Sequence, residues 1–270
     1  MGFDRSLRLA AASALALGLA QAALADPLDD VLSAEILPGW QTADGTYMAG
    51  LKLRLAPGWK TYWRAPGDSG IPPRFDWTGS ENVAEVEVHW PTPRVFSSNG
   101  LRTIGYEHEV VLPLELTPRE HGQPLQLDAR VELGVCQDIC LPIELHLSGL
   151  LPAEGRGESI RAALAAQPES ARAARVGSVA CTVEAIPDGL RLTAEIEVAP
   201  LGRNETAVFE LSDSSIWVSE AFIARQGGRL VARSDLVPAT GAPFALDRSD
   251  LRITLLGEDR AIDIRGCAGR

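Results

Sequence analysis

The sequence predicts an all-β protein, two β-sandwich domains joined by a short alanine-rich helical linker. Segments of alternating apolar and polar residues recur along the chain. Proline- and glycine-rich turns separate them at fairly regular spacing, without the intervening helices that an α/β fold needs. Near residue 152 the pattern becomes alanine-rich, and strand patterning returns at residue 179.

At the N-terminus, Arg5 and Arg8 precede an apolar segment, Leu9 to Leu24, that ends in the small-x-small pattern Ala23-Leu24-Ala25. This predicts a signal peptide over residues 1–25, cleaved after Ala25. No stop-transfer flank follows, as an uncleaved anchor would require; Asp26-Pro-Leu-Asp-Asp30 reads as a solvated new N-terminus. No later run approaches the roughly 18 apolar residues of a membrane span, so no membrane insertion is expected after cleavage. The mature chain is expected in the periplasm, an oxidising compartment where disulfides persist.

The first domain is read over residues 26–151. Its strands are Tyr47–Leu55, Val83–Trp90, Glu109–Leu116 and Leu125–Leu133, with two more around the cysteines at 136 and 140. Residues 152–178 form the linker: Glu158–Gln167 and Glu169–Arg175 are rich in helix formers and broken at Pro168. The second domain, 179–270, carries strands at Val179–Ala185, Leu190–Val198, Thr206–Leu211, Arg229–Arg233 and Leu251–Leu256. With 46% hydrophobic and 23% charged residues the chain can bury a real core. The formal charge of −11 argues against nucleic acid as a partner, since phosphate binding needs a basic face.

Cys136 and Cys140 have three residues between them, where one alternating run stops and another begins. In a single extended strand their Cα atoms would stand roughly 13 Å apart, beyond the roughly 7 Å limit of a disulfide. The chain must turn, and Gln137-Asp-Ile139 is expected as a three-residue loop that leaves the cysteines facing each other across antiparallel strands. Closing so short a loop adds little chain-entropy stabilisation, so a bond here is better explained as a redox pair than as a staple. Cys181 and Cys267, if bridged, would close a loop of about 85 residues worth roughly 4 to 5 kcal/mol, a structural staple. Spacing alone leaves open that either thiol exchanges with the first pair or stays free.

No lysine or arginine flanks Cys136 or Cys140 in sequence. Asp138 lies between them, with Glu132 and Glu144 near, so local charge is expected to disfavour a thiolate. The four histidines, His89, His108, His121 and His146, show no zinc-site spacing, and neither a nucleophile elbow nor a glycine-rich phosphate loop occurs. No metal and no cofactor beyond a redox-active disulfide is expected. One alternative stays open, a copper-binding module in which Cys136, Cys140 and His146 hold Cu(I), because thiolates favour soft ions.

Gly58-Trp-Lys-Thr-Tyr-Trp-Arg-Ala-Pro-Gly-Asp-Ser-Gly-Ile-Pro-Pro73, Trp90-Pro-Thr-Pro-Arg-Val95 and the Val-Cys-x-x-x-Cys-x-Pro element at 135–142 together resemble the N-terminal periplasmic domain of the DsbD/ScsB family of thiol:disulfide interchange proteins. The resemblance covers about residues 30–150. It implies an immunoglobulin-like sandwich and a protein-disulfide reductase component that relays electrons to oxidised periplasmic proteins. Its implied partners are a membrane-embedded thiol reductase and thioredoxin-like or disulfide-containing proteins. By the same resemblance Cys140 matches the cysteine that forms mixed disulfides and Cys136 the one that resolves them.

The three-residue cysteine spacing is closer to the ScsB-like branch than to DsbD proper. Neither a transmembrane conduit nor a C-terminal thioredoxin-like domain is read in the chain, so a separate membrane reductase is the expected electron source. Family members shield the disulfide with an aromatic cap. Phe96, in the turn-rich Phe96-Ser-Ser-Asn-Gly-Leu101, is the first candidate here, with Tyr62, Trp63 and Tyr106 beside it, although most aromatics of a sandwich are core. A passive interaction domain stapled by two structural disulfides is the remaining alternative.

Overall fold

The computed structural model describes residues 30–269 except 68, 99, 153, 154 and 259, so the expected signal peptide and its cleavage point lie outside the described residues. The protein is nearly all β. Its N-terminal half contains β1 (Leu32–Gln41), β2 (Tyr47–Leu55), β3 (Lys60–Gly67), β4 (Arg74–Asp76) and β5 (Val83–Val88). It continues with β6 (Arg94–Ser98), β7 (Leu101–Glu107), β8 (Glu109–Pro118), β9 (Leu125–Cys136) and β10 (Cys140–Leu151). They form two sheets, β1-β2-β8-β5 and β10-β9-β3-β7-β6, with β4 paired to β9.

Strand periodicity explains why these sheets pack together. Along β9 the alternate residues Leu125, Leu127, Ala129, Val131 and Leu133 are all buried, as a strand with one face to the core requires. They meet Leu51 of β2, Leu112, Leu114 and Leu116 of β8, and Trp63 of β3 in one continuous core.

The C-terminal half repeats the arrangement with β11 (Glu169–Ser170), β12 (Val179–Ile186), β13 (Gly189–Glu197), β14 (Thr206–Glu210) and β15 (Ile216–Val218). After these come β16 (Phe222–Gln226), β17 (Arg229–Pro238), β18 (Arg252–Leu256), β19 (Ala261–Arg265) and β20 (Ala268–Gly269). The sheet orders are β11-β19-β18-β14 and β15-β17-β13-β12-β20, with β16 on β17. Leu192, Ile196, Leu230, Leu236, Ile253 and Ile262 fill a second core. Leu256 and Ala261 belong to the first core instead, so the two halves touch through apolar side chains.

The region read as a linker differs from the expectation in two ways. Only Glu158–Ala165 is helical (α1), and it is docked rather than free: Ile160 is fully buried against Met48 and Val111 on the outer face of the first sheet. Gly50 makes room for it, because a Cβ there would stand 3.0 Å from Ile160 Cγ1. The second segment expected to be helical, Glu169–Arg175, is instead β11 followed by a turn. Glu169 and Ser170 pair in parallel with Ile262 and Asp263, and Arg260 grips the Glu169 carboxylate through bonds of 3.0 and 2.9 Å. Tertiary pairing has overridden the helical preference of alanine.

Several strands escaped the sequence pattern. β1 carries Pro38 and Gly39 at a register shift, and β3 departs from its ladder after Tyr62, so neither shows clean alternation.

Candidate functional site

Cys136 closes β9 and Cys140 opens β10, and the two are register partners across an antiparallel ladder. The three-residue loop expected from their spacing is present, with the Gln137 N–H donating to the Ile139 carbonyl at 3.1 Å. The sulfurs are bonded, and the Cα atoms stand 4.1 Å apart. The two cysteines differ in access: Cys136 is 2% exposed, whereas Cys140 lies open at the surface beside Ile139, itself 65% exposed. A groove of about 370 Å³ runs next to them, lined by Ile71, Pro72, Leu133, Pro142 and Ile143 with Arg74, Glu132 and Glu144.

Tyr62 of β3 reaches the pair from beneath. Its hydroxyl donates to Cys136 Sγ at 2.7 Å and lies 3.4 Å from Cys140 Sγ. The ring occupies a slot between two glycines: a Cβ on Gly134 would come within 3.2 Å of Tyr62 Cδ2, and one on Gly70 within 2.8 Å of Cδ1. Thr61 pins the strand one residue earlier by donating its hydroxyl to the Gly134 carbonyl at 2.9 Å. Burial pushes the Tyr62 phenol above its ordinary range, so it keeps its proton at neutral pH and acts as a donor.

Two of the other aromatic candidates belong to the core. Trp63 is fully buried in the first core. Tyr106 is buried there too, and its hydroxyl donates to the Pro91 carbonyl at 2.8 Å. Phe96 is half-buried on β6 with the Lys60 ammonium 5.2 Å from its ring centroid.

The charge expectation changes with the fold. Lys60 is the register partner of Cys136 on the other side of β9, so a cation belongs to the neighbourhood although none flanks the cysteines in sequence. Glu132 and Glu144 face each other across the β9–β10 ladder, and Arg130 reaches Glu144 at 3.4 Å. The acidic groups counted along the chain are therefore partly answered by cations that only the sheet brings near.

The third ligand of the copper alternative is out of reach. His146 lies six residues beyond Cys140 on the same strand, roughly 20 Å away at about 3.3 Å per residue, and bonds Asp128 at 2.9 Å. A different cluster, Glu87, His89 and Glu115, places its ligand atoms within 4.8 Å of one another on the first sheet, which histidine spacing did not reveal. The second disulfide joins Cys181, fully buried, to Cys267.

Residues 33–152 match the family described as thiol:disulfide interchange protein DsbD, N-terminal. That segment belongs to the DsbD N-terminal family. Among solved structures, the N-terminal periplasmic domain of ScsB from Proteus mirabilis aligns with a TM-score of 0.69 at 22% identity, covering 92% of this chain and 97% of that one. At that identity the likeness concerns the fold, and it extends over both halves of the molecule. Comparison with curated protein sequences returns no match. Within the DsbD-type segment, Cys136, Cys140 and Tyr62 form a disulfide with a hydroxyl donor, chemistry suited to thiol–disulfide interchange. Among the described residues no helix is long and apolar enough to cross a membrane.

Sequence reasoning missed Lys60, Gly70 and Gly134 as parts of the site. The signal was present in the long Gly58–Pro73 element: Tyr62 goes to the sulfur, Trp63 to the core, and Gly70 and Ile71 close around the phenol.

Proposed function

We propose that this protein is a periplasmic thiol–disulfide relay that accepts electrons from a membrane thiol reductase and passes them to oxidised proteins. The exported state, with residues 1–25 removed, and the reading of the two sheet pairs as immunoglobulin-like domains belong to the same proposal. The observation that carries it is the asymmetry of the disulfide: Cys140 is open and Cys136 is buried against the Tyr62 hydroxyl.

A donor thiolate attacks Cys140 Sγ in line with the S–S bond. A donor–Cys140 disulfide forms, the Cys140–Cys136 bond breaks, and Cys136 leaves as a thiolate. Tyr62 already points its proton at that sulfur, so the developing charge meets a preorganised donor. A second donor thiolate then attacks its own mixed-disulfide sulfur, which releases Cys140 as a thiolate and oxidises the donor. Delivery to an acceptor runs the same steps in reverse, with Cys140 attacking and Cys136 resolving. No cofactor beyond the disulfide enters. The surface beside Cys140, with Ile139 and the Ile71–Pro142 groove, suits a partner that presents an apolar rim around a reactive cysteine, as a thioredoxin-like protein does.

Thiol trapping tests the reading. Cys136→Ser should accumulate mixed disulfides through Cys140 with periplasmic proteins, and Cys140→Ser should accumulate few because Cys136 is shielded. Equal capture by both variants, or none by either, would count against the relay.

A further inference from the structure

Beyond Tyr62, β3 loses its neighbours. It pairs with β9 only at Lys60 and Thr61, and with β7 at Lys60, Thr61 and Tyr62 before pairing resumes at Gly67 opposite Thr103. Trp63 to Pro66 therefore form an irregular stretch of the strand, between the Tyr62–Gly105 and Gly67–Thr103 pairs. Trp63 enters the first core, and Arg64 crosses to the other half of the molecule.

There the guanidinium makes a bidentate pair with Glu210 of β14, with Nε 2.8 Å from Oε1 and Nη2 3.0 Å from Oε2. Nη2 also lies 3.4 Å from the Thr254 hydroxyl of β18, and the group stacks 3.9 Å over the Trp63 ring. Both side chains are largely buried, 13% and 18% exposed, so the pair works in a medium where one partner without the other is strongly disfavoured. Burial draws the Arg64 pKa down, and Glu210 opposes that fall.

We propose that Arg64 and Glu210 are positioning residues for the redox pair: they clamp the irregular stretch of β3 to the C-terminal half and thereby set where the Tyr62 hydroxyl stands against Cys136. The inference rests on the thiol–disulfide reading above. Tyr62 has two fixed sides, the Thr61 ladder and the Trp63–Arg64 anchor. Hydrogen bonds weaken steeply with misalignment, and a catalytic group must be held within about 0.5 Å. On this account the C-terminal half tunes the chemistry of a site to which it contributes no atom. A second crossing contact, Arg102 of β7 with Glu220 at 2.6 Å and with the Thr206 hydroxyl of β14, fastens the same two halves and tests the effect of docking in general.

The experiment follows reduction of the Cys136–Cys140 bond by dithiothreitol, and its reduction potential in a glutathione buffer, as functions of pH. It compares wild type, Tyr62→Phe, Glu210→Gln, the double variant and Arg102→Gln. Tyr62→Phe is expected to slow reduction about tenfold, the scale of one hydrogen bond to a charged group. Glu210→Gln should slow it about three- to tenfold, shift the potential to more negative values as loss of the thiolate's donor in Tyr62→Phe does, and add less than about twofold in the Tyr62→Phe background, because both act through one hydroxyl. Arg102→Gln should stay within about twofold of wild type.

A folded Glu210→Gln protein with unchanged rate and potential overturns the clamp, as does an effect that multiplies with that of Tyr62→Phe. Equal slowing by Arg102→Gln also overturns it, by assigning the effect to docking in general. If Glu210→Gln does not fold, Arg64→Lys, which keeps a cation at the pair, is judged by the same criteria. A wild-type Cys136–Cys140 bond as resistant as Cys181–Cys267 sinks the relay reading itself; a labile bond that ignores the clamp variants sinks only this inference.

Discussion

The Tyr62 hydroxyl lies 2.7 Å from Cys136 Sγ, the buried sulfur of the pair, while the exposed sulfur of Cys140 is 3.4 Å from the same oxygen. A donor is thus aimed at the atom that departs when Cys140 is attacked. Removing it in Tyr62→Phe should leave the fold intact, since the ring still fills its slot. The loss should appear in chemistry: reduction by a small dithiol is expected to slow by about 1.5 kcal/mol of barrier, roughly tenfold. Stopped-flow thiol detection measures it, and an unchanged rate would remove Tyr62 from the mechanism.

The slot itself can be closed. A Cβ at Gly134 would stand 2.8 Å from Ile71 Cβ and 3.2 Å from the Tyr62 ring. Gly134→Ala is therefore expected to cost about 1 to 3 kcal/mol by overpacking and to push the phenol off the sulfur. Denaturant midpoints give the first effect. The second shows as a reduction rate that falls towards that of Tyr62→Phe.

The two disulfides should separate in a redox titration. Cys181 is fully buried and the bond to Cys267 spans 86 residues, whereas Cys140 is open and its bond spans 4. The long bridge should resist reduction more strongly, and Cys181→Ser should lower stability by about 4 to 5 kcal/mol on the chain-entropy estimate. Cys140→Ser should cost much less. Coincident titration of both bonds would favour two structural staples.

Helix α1 is held by Ile160, fully buried between Met48 and Val111. Ile160→Ala should cost about 2 to 5 kcal/mol through the cavity it leaves, read from thermal or urea unfolding. Because α1 sits on the sheet that does not carry the disulfide, the exchange rate of the folded variant should match wild type.

Acid sensitivity has an identifiable contributor in Glu205. It is held below its ordinary pKa of 4.5 chiefly by Arg225, whose Nε donates at 2.8 Å, and also by the Leu201 N–H at 2.7 Å, while burial works in the opposite sense. A depressed carboxyl stabilises the fold fully above its unfolded value and loses that contribution as pH falls through the folded one. Urea midpoints at pH 7 and pH 3 should therefore drop further for wild type than for Glu205→Gln. Equal drops would show that Glu205 carries none of the acid dependence.

The amino-acid order by itself determined the all-β class, the pairing of Cys136 with Cys140 and their hairpin. Alternation over Tyr47–Leu55, Glu109–Leu116 and Leu125–Leu133 is local and has one physical reading, and three residues between Cys136 and Cys140 cannot be bridged without a turn. Tertiary structure decided what depends on residues distant in the chain. Register placed Lys60 against Cys136 and brought Tyr62 across 74 positions to its sulfur. It also took Glu169 out of a helix, docked α1 through Ile160, and joined Arg64 to Glu210. None of these follows from local propensity, because each arises when the packing of two sheets selects one partner among many chemically equivalent ones. The same division separates the access of the sulfurs: the chain presents two equal thiols, and only the fold buries one and opens the other.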